Sequence, residues 1–353
     1  MSCSGSFHPL NKLKSFKKHL MSAPLPLISL AAAAARLQAG ELVAIPTETV
    51  YGLAADAQNA QAVAKIVSTI GRPADHPLIV HLASAAAAAH FAADLPPFAS
   101  ALMQAFWPGP LTVIVARREG VASAAAGGLP SVGLRCPSHP VALQLLAACQ
   151  AVGVQGLAAP SANRFGKVSP TTAQHVADEF GAEVPVLDGG ACSVGIESTI
   201  VDCTRGQPVI LRPGHIGAAQ IDAALQQAGL PQRVHAADAL LAPAPKAAGT
   251  LAAHYAPRAP LRLMQGAMLQ TALDVLAEDA QGIAIYSRMV LHSTSPNIIR
   301  RRMPDDAQAT AQQLFAVLRG FDAQGAKLIW VEEPPLDAAW DGVRDRLQRA
   351  AAS

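Results

Sequence analysis

Residues 41–82, ELVAIPTETVYGLAADAQNAQAVAKIVSTIGRPADHPLIVHL, contain one unit of an alternation that runs through the chain. ELVAIP and PLIVHL are short apolar runs bounded by proline, and they read as buried strands. AQAVAKIVSTI (60–70) lies between them and reads as a helix. LTVIVA (111–116), SVGLRC (131–136), STIVDC (198–203) and PVILRP (208–213) repeat the strand signal. HPVALQLLAACQ (139–150) and SPTTAQHVADEF (169–180) repeat the helical one. In the latter, Ser169 is the expected N-cap and Pro170 suits the first helical position. Strands alternating with helices specify an α/β layer architecture.

The alternation breaks at PQRVHAADALLAPAPKAAGTLAAHYAPRAP (231–260), which is proline-rich and without clean periodicity, so 231–259 reads as a linker. Beyond it, PLRLM, GIAIYS and KLIWVEEP are strands. DAQATAQQLFAVLRGFDAQG (306–325) is a helix with a glycine stop, and DAAWDGVRDRLQRAA (337–351) is a closing helix. Residues 260–353 thus form a small doubly wound unit, after a larger one spanning 22–230.

Bulk properties narrow the function. A chain of 353 residues accommodates about two domains. With 51% hydrophobic and 15% charged residues it is globular. The longest apolar stretch, PLPLISLAAAAARLQAG, carries prolines and Arg36 and reads as a loop entering an amphipathic helix, not a membrane span. A net charge of +2 confines any nucleic-acid contact to a local patch. The five cysteines include no CxxC pair, which argues against a disulfide framework or a zinc knuckle. Reduced thiols in a cytoplasm follow. Residues 1–20, MSCSGSFHPLNKLKSFKKHL, lack the apolar core of a signal peptide, and 1–21 read as a disordered extension whose basic charge could touch RNA.

Polar residues concentrate where strands end. Thr47, Glu48 and Thr49 follow the first strand; Arg72, His76 and His81 flank the next; Ser131 and Arg135 bracket another. APSANRFGKVSP (159–170) adds Ser161, Asn163 and Ser169, with Thr171 just beyond. DGGACSVGIESTIVD (188–202) adds Glu197, Ser198 and Thr199, and VILRPGH ends with Arg212. Ligands of open α/β sheets collect at such loops. Strand-end arginines suit carboxylate or phosphate. No GxxxxGK[ST] loop and no GxGxxG occur, so phosphates must be held by side chains and exposed amides.

PTETVYGLAADA, GRPADHPLIVHL, WPGPLTVIV, GLRCPSHPVA, APSANRFGKVSPT, GIESTIVD and ILRPGHI, in this order across about residues 35–217, resemble the Sua5/YrdC family of threonylcarbamoyl-AMP synthases. HYAPRAP and RLQRAA extend the resemblance to the longer, Sua5-type architecture. It implies a YrdC-like twisted open mixed sheet with helices, then a smaller Rossmann-like α/β C-terminal domain. It also implies an activity: L-threonine, bicarbonate or CO2 and ATP give L-threonylcarbamoyl-AMP and pyrophosphate, for t6A modification of tRNA. Mg2+ would accompany ATP; no metal ligands are assigned. By the same resemblance Thr49, His81, Arg135, Ser161 and Ser198 would hold L-threonine. Arg72, His76, Ser131, Asn163, Thr171, Arg212 and Tyr255 would hold ATP, with Arg72 catalytic and the linker closing as a lid. Implied partners are a downstream threonylcarbamoyl transferase complex and RNA, either tRNA or double-stranded; no membrane is involved.

The chain departs from the family pattern at one position. K-x-R-P is expected where it reads IGRP, so Ile70 replaces a lysine. Losing one preorganised charge beside reacting phosphates costs about 3 to 4 kcal/mol. The alternative is therefore a catalytically weakened, RNA-binding YrdC-like module. A carbamoyl-adenylating maturation factor for hydrogenases shares the core, but its zinc-finger cysteines and acylphosphatase segment are not found here.

Overall fold

The computed structural model describes residues 25–236 and 244–353. The N-terminal extension and the middle of the linker lie outside the described residues. The larger unit is a nine-stranded mixed sheet. Its strands are β1 (Val43–Ile45), β2 (Gly52–Asp56), β3 (Ile79–His81), β4 (Leu111–Ala116), β5 (Ser131–Arg135), β6 (Leu157–Ala158), β7 (Thr199–Asp202), β8 (Val209–Arg212) and β9 (His235–Ala236), in the order β1-β2-β6-β3-β5-β4-β7-β8-β9. Its helices are α1 (Leu30–Gln38), α2 (Ala60–Ile70), α3 (Ala88–Phe91), α4 (Pro97–Phe106), α5 (Pro140–Ala151), α6 (Ala173–Phe180) and α7 (Ala218–Gln227).

The smaller unit is a parallel sheet of β10 (Leu261–Met264), β11 (Ile283–Ser287), β12 (Ile299–Arg302) and β13 (Leu328–Glu332), ordered β10-β13-β11-β12. It carries α8 (Gly266–Asp274), α9 (Ala307–Ala323) and α10 (Asp341–Ala351). This is the α/β architecture expected, a mixed sheet followed by a Rossmann-like unit. Among the described residues no helix is long and apolar enough to cross a membrane. Cys136, Cys149, Cys192 and Cys203 are buried and unbridged.

Local chemistry places these elements. Ser29 caps α1, and Asn59 caps α2 by accepting from the amides of Gln61 and Ala62. Gly71, at φ 70°, ends α2 in the left-handed region glycine favours. The expected start of α6 is corrected: the helix begins at Ala173 with Thr172 as its N-cap. Ser169 instead donates its hydroxyl to Glu197 Oε1. Pro170 removes a donor from that approach, and its carbonyl accepts from the Tyr51 amide at 2.8 Å.

Apolar packing joins the two units. Val50, Val168, Ile196 and Tyr255 belong to the same buried cluster as Leu314, Phe315, Leu318, Val343 and Leu347 of α9 and α10. Val50, Val168 and Ile196 lie in loops of the larger unit that carry candidate site residues, and Tyr255 comes from the linker.

Candidate functional site

Strand pairing brings the first two site residues together. β3 and β5 run parallel with His81 opposite Arg135, so both side chains leave the same sheet face. Further along, β7 and β8 run antiparallel, placing Ser198 ahead of β7 beside Arg212 at the end of β8. The loop after β1 contributes Thr47 and Thr49, and the loop after β6 contributes Ser161. The linker then returns over this face with Ala248, Gly249, His254 and Tyr255.

The cavity so enclosed is lined by Thr49, Arg72, His81, Arg135, Ser161, Ser198, Arg212 and Tyr255 among the candidate residues, and by Thr47 and Glu197 besides. The other four candidates stand outside it. Ser131 borders an adjoining cavity under Lys246 and Ala247. His76 lies edge-on to Phe165 at 5.8 Å. Asn163 donates to the carbonyls of Arg164 and Lys167. Thr171 is 3.3 Å from His175 Nδ1.

Every arginine of the cavity is buried and held. Arg135 pairs with Glu48 at 2.7 Å and donates to Thr49 Oγ1 at 2.8 Å. Arg212 donates twice to the Ser198 carbonyl and once, at 2.9 Å, to the Ala248 carbonyl of the linker. Arg72 donates to the Pro77 carbonyl at 3.1 Å and stacks over Phe165 at 5.6 Å. Burial, and then the Arg212 charge against the opposing pull of Tyr255, bring the Arg72 guanidinium down to about 10. It remains a cation at neutral pH.

The carboxylates offset this charge. Burial alone would raise Glu48, but Arg135 outweighs it and holds the carboxyl below its ordinary value. Glu197 is likewise held down, by Arg346 and then Arg212. His81 is driven down to about 3 by burial and by Arg135, so its imidazole is neutral. His81 Nδ1, Asn163 Oδ1 and Tyr255 Oη are buried without a hydrogen-bond partner. Such groups carry a desolvation cost that a ligand can recover. Tyr255 also sits at φ 62°, a left-handed conformation costing a non-glycine residue roughly 1 to 2 kcal/mol.

The linker packs closely here. The Ala256 amide donates to Gly166 O at 2.8 Å, and His254 stacks edge-on against Phe165 at 5.9 Å and Tyr255 at 4.2 Å. Only about 50 Å³ stays open to the centre of a water molecule. Ligand pockets typically measure about 300 to 1,000 Å³, so with the linker in this position the cavity is smaller than an ordinary ligand site.

Among the described residues no cluster of three or more His, Cys, Asp or Glu could hold a metal. Glu48 and Glu197, the nearest carboxylates, are engaged by arginine. Sequence reasoning noted both and gave neither a role. It did not single out Phe165 or His254.

A family model described as "Telomere recombination" matches residues 35–214. A second, described as "Threonylcarbamoyl-AMP synthase, C-terminal domain", matches residues 216–352. The chain belongs to the threonylcarbamoyl-AMP synthase family. It is an enzyme of the nucleotidyltransferase type. Threonylcarbamoyl-AMP synthase of Pyrococcus abyssi is 35% identical over 90% of this chain and 93% of its own length. The Bacillus subtilis enzyme of that name is 36% identical over 91% and 92%. The crystal structure of P. abyssi Sua5 complexed with L-threonine matches with a TM-score of 0.80 at 34% identity, covering 91% of this chain and 94% of that one. The family match extends over both units, so the parallel sheet beyond the linker is part of the family fold.

Proposed function

We propose that this member of the family makes L-threonylcarbamoyl-AMP and pyrophosphate from L-threonine, bicarbonate or CO2 and MgATP. The observation that carries the reading is the single cavity shared by Arg72, Arg135 and Arg212. Its charge suits one triphosphate and one α-amino acid together.

Arg135 takes the threonine carboxylate, and Thr49, Ser161 and Ser198 orient the amino acid. The unpartnered Nδ1 of neutral His81 accepts a hydrogen bond from its amine. The amine nitrogen bonds to the carbon of CO2 and releases a proton, leaving a carbamate. A carbamate oxygen attacks the α-phosphorus, the α–β bridging bond breaks, and pyrophosphate departs. Arg72 and Arg212 neutralise charge as that bond breaks. Tyr255 covers the nucleotide, while His76, Ser131, Asn163 and Thr171 supply its outer contacts. Mg2+ arrives with the nucleotide as part of the substrate.

A closed linker keeps water from a hydrolysis-prone mixed anhydride. The product then passes to a threonylcarbamoyl transferase complex acting on tRNA in the cytoplasm. The test is incubation with ATP, Mg2+, bicarbonate and L-threonine, followed by mass spectrometry. A threonine- and bicarbonate-dependent adenylate is expected. RNA binding without adenylate would favour the weakened RNA-binding module.

A further inference from the structure

We propose that Arg346, on the last helix of the C-terminal unit, is a positioning residue for the catalytic cavity. The inference rests on the synthase reading above. Arg346 does not line the cavity, yet its side chain is fully buried and grips three segments that do.

Its Nε donates to Glu197 Oε2 at 2.7 Å, and Nη2 donates to the Glu197 carbonyl at 3.1 Å. Nη1 donates to the Pro213 carbonyl at 2.9 Å and to Asp345 Oδ2 at 2.7 Å. Its guanidinium lies 5.2 Å from the centre of the Tyr255 ring. Glu197 precedes Ser198, Pro213 follows Arg212, and Tyr255 belongs to the lid. Through Glu197 Oε1 the hold extends to Ser169, in the loop between Asn163 and Thr171. One planar fork therefore sets the relative position of a threonine-site hydroxyl, a nucleotide-site arginine and the closing tyrosine.

Docking of the two units alone does not call for this group. The junction already has an apolar core. A buried ion pair adds little stability over apolar side chains of similar volume. What it adds is geometry, because three directed hydrogen bonds to Glu197 and Pro213 and a stacking face on Tyr255 tie three segments together at once. Lysine keeps the charge but has no flat fork with which to reproduce that set.

The test compares the full chain with Arg346→Lys, Arg346→Met and, as a docking control, Leu347→Ala. Leu347 is fully buried on the same helix in the apolar junction. Calorimetry gives the L-threonine Kd, pyrophosphate release gives kcat and KM for ATP, and thermal melting gives the folded fraction. Both Arg346 variants should weaken threonine binding and raise KM for ATP by about tenfold or more at temperatures where they are fully folded, Met more than Lys. Leu347→Ala should lower Tm and leave both constants in place.

The proposal is overturned if folded Arg346→Lys and Arg346→Met bind threonine and ATP like wild type. It is equally overturned if activity falls only in step with the folded fraction. A wild-type protein that makes no adenylate would instead defeat the synthase reading, and the threonine Kd would still decide the role of Arg346.

Discussion

Arg72, Arg135 and Arg212 face one cavity, but their surroundings differ. Arg135 has an ion-pair partner in Glu48, whereas among the described residues Arg72 and Arg212 are held by carbonyls, a hydroxyl and a ring. Arg72 and Arg212 are therefore the cations an anionic ligand would neutralise. The resemblance places a lysine two residues before Arg72. Ile70 is 3% exposed and packs into the main core, while its carbonyl accepts from the Phe165 amide of the active-site loop. Ile70→Lys should thus trade core burial for charge. It should lower Tm by several degrees, and per folded molecule it should release pyrophosphate about tenfold faster or more. Equal rates in a pyrophosphate-release assay would remove the lysine from the argument. The arginines were legible in the sequence because they stand at strand ends in a chain poor in charge. Glu48 and Glu197 were visible but could not be assigned. Nothing local tells a carboxylate that neutralises a neighbour from one that binds substrate, and their partners lie 87 and 149 residues away in the chain.

The lid illustrates why an element can be located without its conformation being readable. Its proline content and HYAP marked it, but nothing in that composition encodes the close approach at Gly249. This residue has φ 69°, and a Cβ there would collide with the Tyr255 hydroxyl and lie 2.8 Å from Arg212 Nη1. Gly249→Ala should hold the lid away from the nucleotide and raise KM for ATP by about tenfold, with a modest drop in Tm, because a left-handed residue other than glycine costs roughly 1 to 2 kcal/mol. An unchanged KM would mean that lid closure does not contribute to nucleotide binding. Strands were legible where β-branched residues cluster, as in β4 and β8. β2 (GLAAD) was missed because alanine and glycine carry no strand signal, and β12 (IRRR) because an edge strand needs no apolar alternation. Strand order was not legible at all, since pairings such as β6 with β2 and β3 are set by the whole sheet.

At the scale of the molecule, buried histidines tie the cavity, the junction and the lid to one pH window. Burial first, with nearby arginines, lowers His81 to about 3, His175 to about 4 and His254 to about 4. His81 lies in the cavity, His175 beside Arg319 at the junction groove, and His254 in the lid. Their folded pKa values lie below the ordinary 6.5, so the folded chain binds fewer protons than the unfolded one below that pH. Above about pH 6.5 the imidazoles are neutral in both states and contribute no slope. As pH falls from 6.5 towards 4, each proton taken up only on unfolding removes about 1.4 kcal/mol of stability per pH unit. Glu48 and Glu197 act in the same direction at lower pH. Their carboxyls are held below 4.5, so their contribution is present above that value and is lost as they become protonated. The denaturant midpoint should be flat from pH 8 to 7 and fall increasingly steeply below about 6.5. His254→Asn should remove part of that slope, because it takes one of the titrating groups out of the lid. A midpoint that stays level down to pH 4.5 would mean the histidines become charged without unfolding the chain, and the junction and lid would not be linked through protonation.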